Sequence, residues 1–174
     1  MNVLHTIIFS HYTVKDIEAK PWKETWDNLA SFAEKMASKL EAMEMAIKLR
    51  RAVMDEISQD TLMMANMVTV SSEELGISET PIENILGLEL DFSACNSCVT
   101  PEGTEFPCRT LKNIEGAEHQ ALPESFFIET TLFIAFKARG HGDCGCSGDH
   151  DSCSCSGGRE HHEHNCSCYC GCEE

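Results

Sequence analysis

The sequence predicts an α/β domain followed by a separate cysteine- and histidine-rich tail, and three observations predict it. Apolar residues crowd positions 3–9, recur every three or four residues from Trp22, and alternate with polar ones over positions 43–50. Strand, helix and strand in that order make a parallel β-α-β unit. A second apolar helix closes the domain before Gly140, and past Arg139 Gly, Ser, His, Asp, Glu and Cys dominate, with Tyr169 the only large apolar side chain left. Residues 1–139 are therefore read as the folded domain and residues 140–174 as the tail.

The first strand, residues 3–9, reads as a central strand covered on both faces, because apolar residues crowd it as they do in such a strand. The helix after it presents Trp22, Trp26, Leu29, Phe32, Ala33, Met36, Leu40 and Met43 on one stripe, and Pro21 stands where a first turn tolerates proline. Met43, Met45, Ile47 and Leu49 then alternate with Ala46, Lys48 and Arg50, the period of a half-buried strand. After a polar stretch at 55–60 comes a strand at 67–70, and a short helix from Pro81 to Leu86 ends on Gly87. A loop over 92–108 carries Cys95, Cys98 and Cys108. Residues 108–114 and 117–122, joined at Glu115-Gly116, read as a hairpin. Pro123 opens the last helix, expected to be buried because of its apolar run over 126–136; Glu129 interrupts that run and it falls short of the ~20 residues of a membrane span.

Composition narrows the function classes. In 174 residues, 42% hydrophobic content is enough for one core, and a formal net charge of −16 argues against nucleic acids and anionic membranes, which need a basic face. The first residues lack the basic flank and cleavage site of a secretory signal, so the expected location is the cytoplasm. Eleven cysteines in a reducing compartment point to metal ligation or thiol chemistry rather than a disulfide framework.

The tail holds Cys144-Gly-Cys146, Cys153-Ser-Cys155 and Cys166-Ser-Cys168-Tyr-Cys170-Gly-Cys172, with His161, His162 and His164 just before the last set. Two sulfurs in Cys-x-Cys are close enough to bind one ion or bridge two. Thiolate selects soft ions such as Zn(II) and Cu(I) over Mg(II) and Ca(II), and imidazole extends the range to Ni(II). Without metal, a segment so poor in apolar residues is expected to be disordered, since burial cannot offset its ordering entropy. The bland alternative, a solvated tail with tolerated cysteines, is disfavoured because unused exposed thiols are oxidation liabilities.

In the domain, Cys95-Asn-Ser-Cys98 together with Cys108 gives three thiols that one loop can bring together. Cys-x-x-Cys serves both metal binding and dithiol redox; three thiols suit a trigonal soft ion or a metalloid such as As(III), whereas tetrahedral Zn(II) needs a fourth ligand, for which His119 is one candidate. Ordinary packed cysteines are the competing reading. Met63, Met64 and Met67 are expected in the core rather than on Cu(I), and His5 and His11 as packed or solvated side chains rather than ligands. No Gly-rich phosphate loop, Gly-x-Ser-x-Gly elbow or His-Glu-x-x-His helix is present in the sequence.

Residues 81–137 resemble an uncharacterised thioredoxin-like family of small prokaryotic proteins, classed as a domain of unknown function. Pro81-Ile-Glu-Asn-Ile-Leu-Gly87, Cys95-x-x-Cys98, Cys108-Arg109-Thr110 and Leu122-Pro123-Glu124 carry the resemblance. It implies a thioredoxin-like sandwich with the three loop cysteines as its functional set. The chain departs from thioredoxins after strand one, where His11-Tyr-Thr-Val-Lys-Asp16 stands in place of a Cys-x-x-Cys. The metallothionein-like tail lies outside the resemblance.

The function expected from all this is soft-metal or metalloid binding by loop and tail, in sequestration, trafficking or detoxification, with a metalloenzyme or metal-transport protein as partner. The alternative is a thiol-disulfide oxidoreductase or metalloid reductase that uses Cys95 and Cys98.

Overall fold

The structure is a computed structural model that describes residues 5–140. It is mixed α/β, with four strands in one sheet, three in another and four helices. Strand β1 (His5–Val14), helix α1 (Lys20–Glu41) and strand β2 (Met45–Met54) form the expected parallel unit, with His5 opposite Met45 and Val14 opposite Met54. β1 extends five residues past the apolar run. It can do so because it is central, flanked by β2 and by β3 (Val68–Ser72), which runs antiparallel to it and takes up its other edge. Its polar residues Ser10 and His11 are buried as a result.

Helix α1 starts where Pro21 permits and buries Leu29, Phe32 and Leu40 in the main core and Trp22 in a smaller cluster. Glu44, at φ 59°, turns the chain into β2, and its carbonyl accepts from the amide of His5 at 2.9 Å. The polar stretch after β2 contains a short helix, α2 (Gln59–Met64), that the apolar pattern does not announce. Its signal is a capping box: Ser58 Oγ accepts from the Thr61 amide at 3.2 Å, and Thr61 Oγ1 from the Ser58 amide at 2.9 Å. α2 buries no residue, so the expected core placement of the neighbouring methionines is wrong for Met63 and Met64, which are 44% and 38% exposed.

A second unannounced element, β4 (Ile77–Pro81), pairs antiparallel with β3 and completes the sheet order β2-β1-β3-β4. It is held by Glu79, whose Oε1 accepts from Tyr12 Oη of β1 at 2.6 Å, Arg50 Nη2 of β2 at 2.7 Å and Thr69 Oγ1 of β3 at 2.8 Å. One carboxylate oxygen thus ties all four strands, and these donors hold Glu79 below the usual carboxylate range, the tyrosine first. Helix α3 (Ile82–Leu86) ends on Gly87 at φ 65°, the left-handed cap that glycine adopts without strain.

The second sheet follows: β5 (Glu89–Ser93), β6 (Cys108–Lys112) and β7 (Glu118–His119), antiparallel in that order. The hairpin of β6 and β7 is the expected one, with shorter strands. The apolar pattern does not announce β5, which shortens the loop that carries the cysteines. Helix α4 (Glu124–Gly140) buries Phe126, Phe127, Ile134 and Ala135, yet Leu132, Phe133 and Phe136 are exposed, the last at 71%. The expectation of a buried helix holds for one face only. No helix among the described residues is long and apolar enough to cross a membrane.

The main core lies between the first sheet and helices α1 and α4. Phe9, Phe32 and Phe127 meet there with ring centroids 5.6, 6.0 and 5.9 Å apart, each fully buried. Leu111 of β6 reaches the same core, which anchors the second sheet to it.

Candidate thiol site

A second, smaller apolar cluster surrounds the loop cysteines: Val14 and Ile17 after β1, Trp22 of α1, and Phe106, Cys98 and Cys108. Trp22 and Phe106 pack with centroids 5.9 Å apart. The loop between β5 and β6 is tightly folded. The Cys98 amide donates to the Cys95 carbonyl at 3.3 Å, closing the Cys-x-x-Cys turn, and the Phe106 amide returns to the Cys98 carbonyl at 3.0 Å. Between them Thr100 and Thr104 bond through the Thr100 amide at 2.9 Å, across a turn in which Gly103 takes φ 87°. This fold-back lays Cys98 beside Cys108, the first residue of β6.

The three Sγ atoms lie within 4.8 Å of one another, which makes the expected three-thiol group real in space. Cys98 and Cys108 are joined as a disulfide, with Cα atoms 6.4 Å apart, and Cys95 keeps a free thiol. The structure joins Cys98 to Cys108, whereas the sequence-based alternative uses Cys95 and Cys98. Burial divides them further: Cys98 is 0% and Cys108 2% exposed, while Cys95 is half-buried.

Cys95 meets solvent in a groove of about 340 Å³ lined by Lys20, Pro21, Glu24, Gln120 and Ala121. The backbone amide of Lys20, one of the unpaired donors at the start of α1, donates to Ser97 Oγ at 2.9 Å, and Ser97 Oγ is 3.4 Å from Cys95 Sγ. With its oxygen accepting from the helix, the Ser97 hydroxyl hydrogen is free to point at the sulfur. Gln120 Nε2 donates to Ser93 Oγ and to the Ala94 carbonyl, both at 2.8 Å, and so fixes the chain immediately before Cys95.

The region is tied to the rest of the domain by two buried polar contacts that no apolar pattern reveals. Arg109, next to Cys108, pairs with Glu83 of α3, both nearly fully buried, and donates through Nη1 to the Met63 carbonyl at 3.2 Å. Asn66, at φ 67°, donates to the Gln120 carbonyl at 2.6 Å and bonds His11 Nε2 through Oδ1 at 2.9 Å. His11 is buried and stacks on Trp26, whose ring also carries the Arg51 guanidinium at 4.2 Å. Burial, with the Arg51 charge adding, holds the His11 pKa below its ordinary value against the opposing hydrogen bond to Asn66 Oδ1. His11, Trp26 and Arg51 line a cavity of about 550 Å³ that shares Lys20 and Ser97 with the Cys95 groove.

His11 thus stands as a packed histidine, as expected. His119, a candidate fourth ligand, packs edge-on against Phe126 at 5.2 Å and is not in the thiol group. Among the described residues that group is the only set of three or more potential ligands gathered in this way. The tail residues Cys144, Cys146, Cys153, Cys155, His161, His162, His164, Cys166, Cys168, Cys170 and Cys172 lie outside the described residues.

A family model described as a domain of unknown function, DUF2703, matches residues 6–131. The chain belongs to the DUF2703 family. The DUF2703 match runs from β1 into α4, so it takes in more of the chain than the motifs at 81–137. It contains Cys95, Cys98 and Cys108 and leaves every tail cysteine and tail histidine outside. The thiol loop is thereby part of the DUF2703 domain itself. No curated protein and no solved structure matches the chain.

Proposed function

We propose that this DUF2703 domain is a soft-ion-binding module whose reduced Cys95, Cys98 and Cys108 hold one ion of the Zn(II), Cu(I) or As(III) kind. The tail, with its Cys-x-Cys pairs and histidines, enlarges that capacity. Sequestration, trafficking or detoxification in a reducing compartment such as the cytoplasm fits this chemistry, with a metalloenzyme or transport protein as recipient. One observation carries the reading: three sulfurs within 4.8 Å of one another on a loop fixed at both ends. Three sulfurs bound to one ion at ~2.3 Å stand about 4 Å apart, so reduction of the Cys98–Cys108 bond and separation of those two sulfurs would convert the group into a trigonal site. The sheet order β2-β1-β3-β4, parallel at β1 and β2 and antiparallel at β3, supports the thioredoxin-like reading of the fold.

Titration of the reduced chain with Cd(II) or As(III), read by thiolate-to-metal absorption, tests it. Changing Cys95, Cys98 and Cys108 together to Ser should lower the stoichiometry by one ion per chain while circular dichroism stays unchanged. An unaltered stoichiometry would remove the loop site.

A second reading is favoured by the Cys98–Cys108 bond. Here the pair acts as a dithiol-disulfide couple, and the chain is an oxidoreductase or metalloid reductase. A measurable two-electron potential for this pair, coupled to turnover of an external thiol or metalloid, would favour that reading over ion storage.

A further inference from the structure

The disulfide and the free thiol differ in access, and the difference assigns Cys95 a task. Cys98 and Cys108 are sealed beneath Trp22 and Phe106, so a reductant in solution has no path to either sulfur. Cys95 lies within 4.8 Å of both and opens into the groove beside α1. Thiol-disulfide exchange needs contact between the attacking sulfur and the sulfur attacked, and rates collapse where access is blocked. The geometry points to Cys95 as the gateway thiol through which external dithiols reduce the Cys98–Cys108 bond and open the three-thiol site.

The step balances without an added oxidant. Cys95 loses its proton to water and attacks Cys98 Sγ; the Cys95–Cys98 bond forms, the Cys98–Cys108 bond breaks, and Cys108 departs as a thiolate that takes up a proton. The Cys-x-x-Cys turn, closed by the Cys98 amide on the Cys95 carbonyl, holds the two sulfurs for this transfer. An external dithiol then attacks the accessible Cys95 sulfur and releases Cys98. Its second thiol displaces Cys95 and closes a cyclic disulfide. The protein gains two electrons and two protons, and the dithiol loses both. Ser97 is a positioning residue in this scheme: its hydroxyl, polarised by the Lys20 amide at the start of a 22-residue helix, meets charge on the Cys95 sulfur during attack and departure.

The inference rests on the second reading only in requiring that the Cys98–Cys108 bond forms in solution, and the experiment separates the two. A full-length chain in which the eight tail cysteines are Ser is oxidised, its disulfide mapped by mass spectrometry, and its reduction by dithiothreitol followed by timed acid quenching and alkylation in denaturant. Cys95→Ser and Cys95→Ala should both slow the labelling of Cys98 and Cys108 at least tenfold under native conditions, and the slowing should vanish in denaturant. Ser97→Ala should slow reduction less, with Ser97→Thr restoring it. The oxidised parent chain, acid-quenched and alkylated in denaturant, should contain a fraction with Cys108 labelled and Cys95 joined to Cys98. Native reduction as fast in both Cys95 variants as in the parent, or labelling of Cys95 alone, overturns the gateway role. Failure to find the Cys98–Cys108 bond in the oxidised chain overturns the redox reading and the gateway together.

Discussion

The two apolar clusters of this domain are built from similar side chains and do different work. The larger one closes Phe9, Phe32, Phe126, Phe127 and a ring of aliphatic residues between sheet and helices. The smaller one joins six aromatic or aliphatic residues to Cys98 and Cys108, and it borders a groove, a cavity and the start of α1. A closed aliphatic core gains from burial alone, in proportion to area. A core that contains two cysteines can change its covalent state, and so its stability and its ligand set, without changing its fold. On the proposed function the chemistry belongs to the smaller cluster, and its reorganisation is expected to leave the phenylalanine core undisturbed.

The sharpest way to break that comparison is to damage the larger cluster. Phe32→Ala, which removes a ring touching both Phe9 and Phe127, should cost about 3–5 kcal/mol in urea unfolding. The rate of Cys95 alkylation in the still-folded protein should stay unchanged; a parallel change would mean that the clusters are one energetic unit.

Reducing the Cys98–Cys108 disulfide comes next. The bond closes a short loop, with a sequence separation of 10, so its loss should lower stability by about 2–4 kcal/mol. Binding of one equivalent of Cd(II) or As(III) to the reduced loop should recover part of that loss, since a ligand held only by the native state stabilises it. Equal melting temperatures for reduced and oxidised chains would detach the thiols from the domain's stability.

His11 gives a smaller effect with a definite sign. Its native pKa lies below the ordinary value near 6.5, so between the two values the unfolded chain binds a proton that the native protein excludes. Stability is full above pH 6.5 and falls as the pH drops towards the lowered native value. Measured unfolding free energies should decline over that window in the parent and less so in His11→Gln. A decline of the same slope in the variant would assign the acid sensitivity elsewhere.

The smallest effect is expected from the tail. A chain ending at Arg139 keeps nearly all the large apolar residues, so its metal-free form should melt within a few degrees of the full-length metal-free protein. A drop of more than about 10 °C would make the tail a packed part of the domain.

How much of this was legible in the sequence depends on which force shaped each element. The parallel unit, α1, the hairpin of β6 and β7 and α4 follow from apolar periodicity, because each buries a face against the main core. α2, β4 and β5 escaped because polar bonds rather than apolar patterning define them: the Ser58–Thr61 capping box, the Glu79 carboxylate shared by three donors, and the Ser93–Thr110 hydroxyl pair at 2.6 Å. The cysteine group was visible as spacing, since Cys-x-x-Cys and a third cysteine at the start of a strand leave few ways to fold the loop. Which two would pair was not, because pairing is set by the turn at Gly103 and by burial under Trp22, a residue more than seventy positions away. Ser97, Gln120 and the Arg109–Glu83 pair were equally invisible, being long-range partners whose residue types occur everywhere on surfaces.

The most direct test of the three-thiol site compares the domain ending at Arg139 in its two covalent states. With the tail's thiols removed, the reduced domain should bind one Cd(II) or As(III) per chain, and the oxidised domain, holding only the Cys95 thiol, should bind none. Binding of one ion in both states, or in neither, would contradict a site built from Cys95, Cys98 and Cys108.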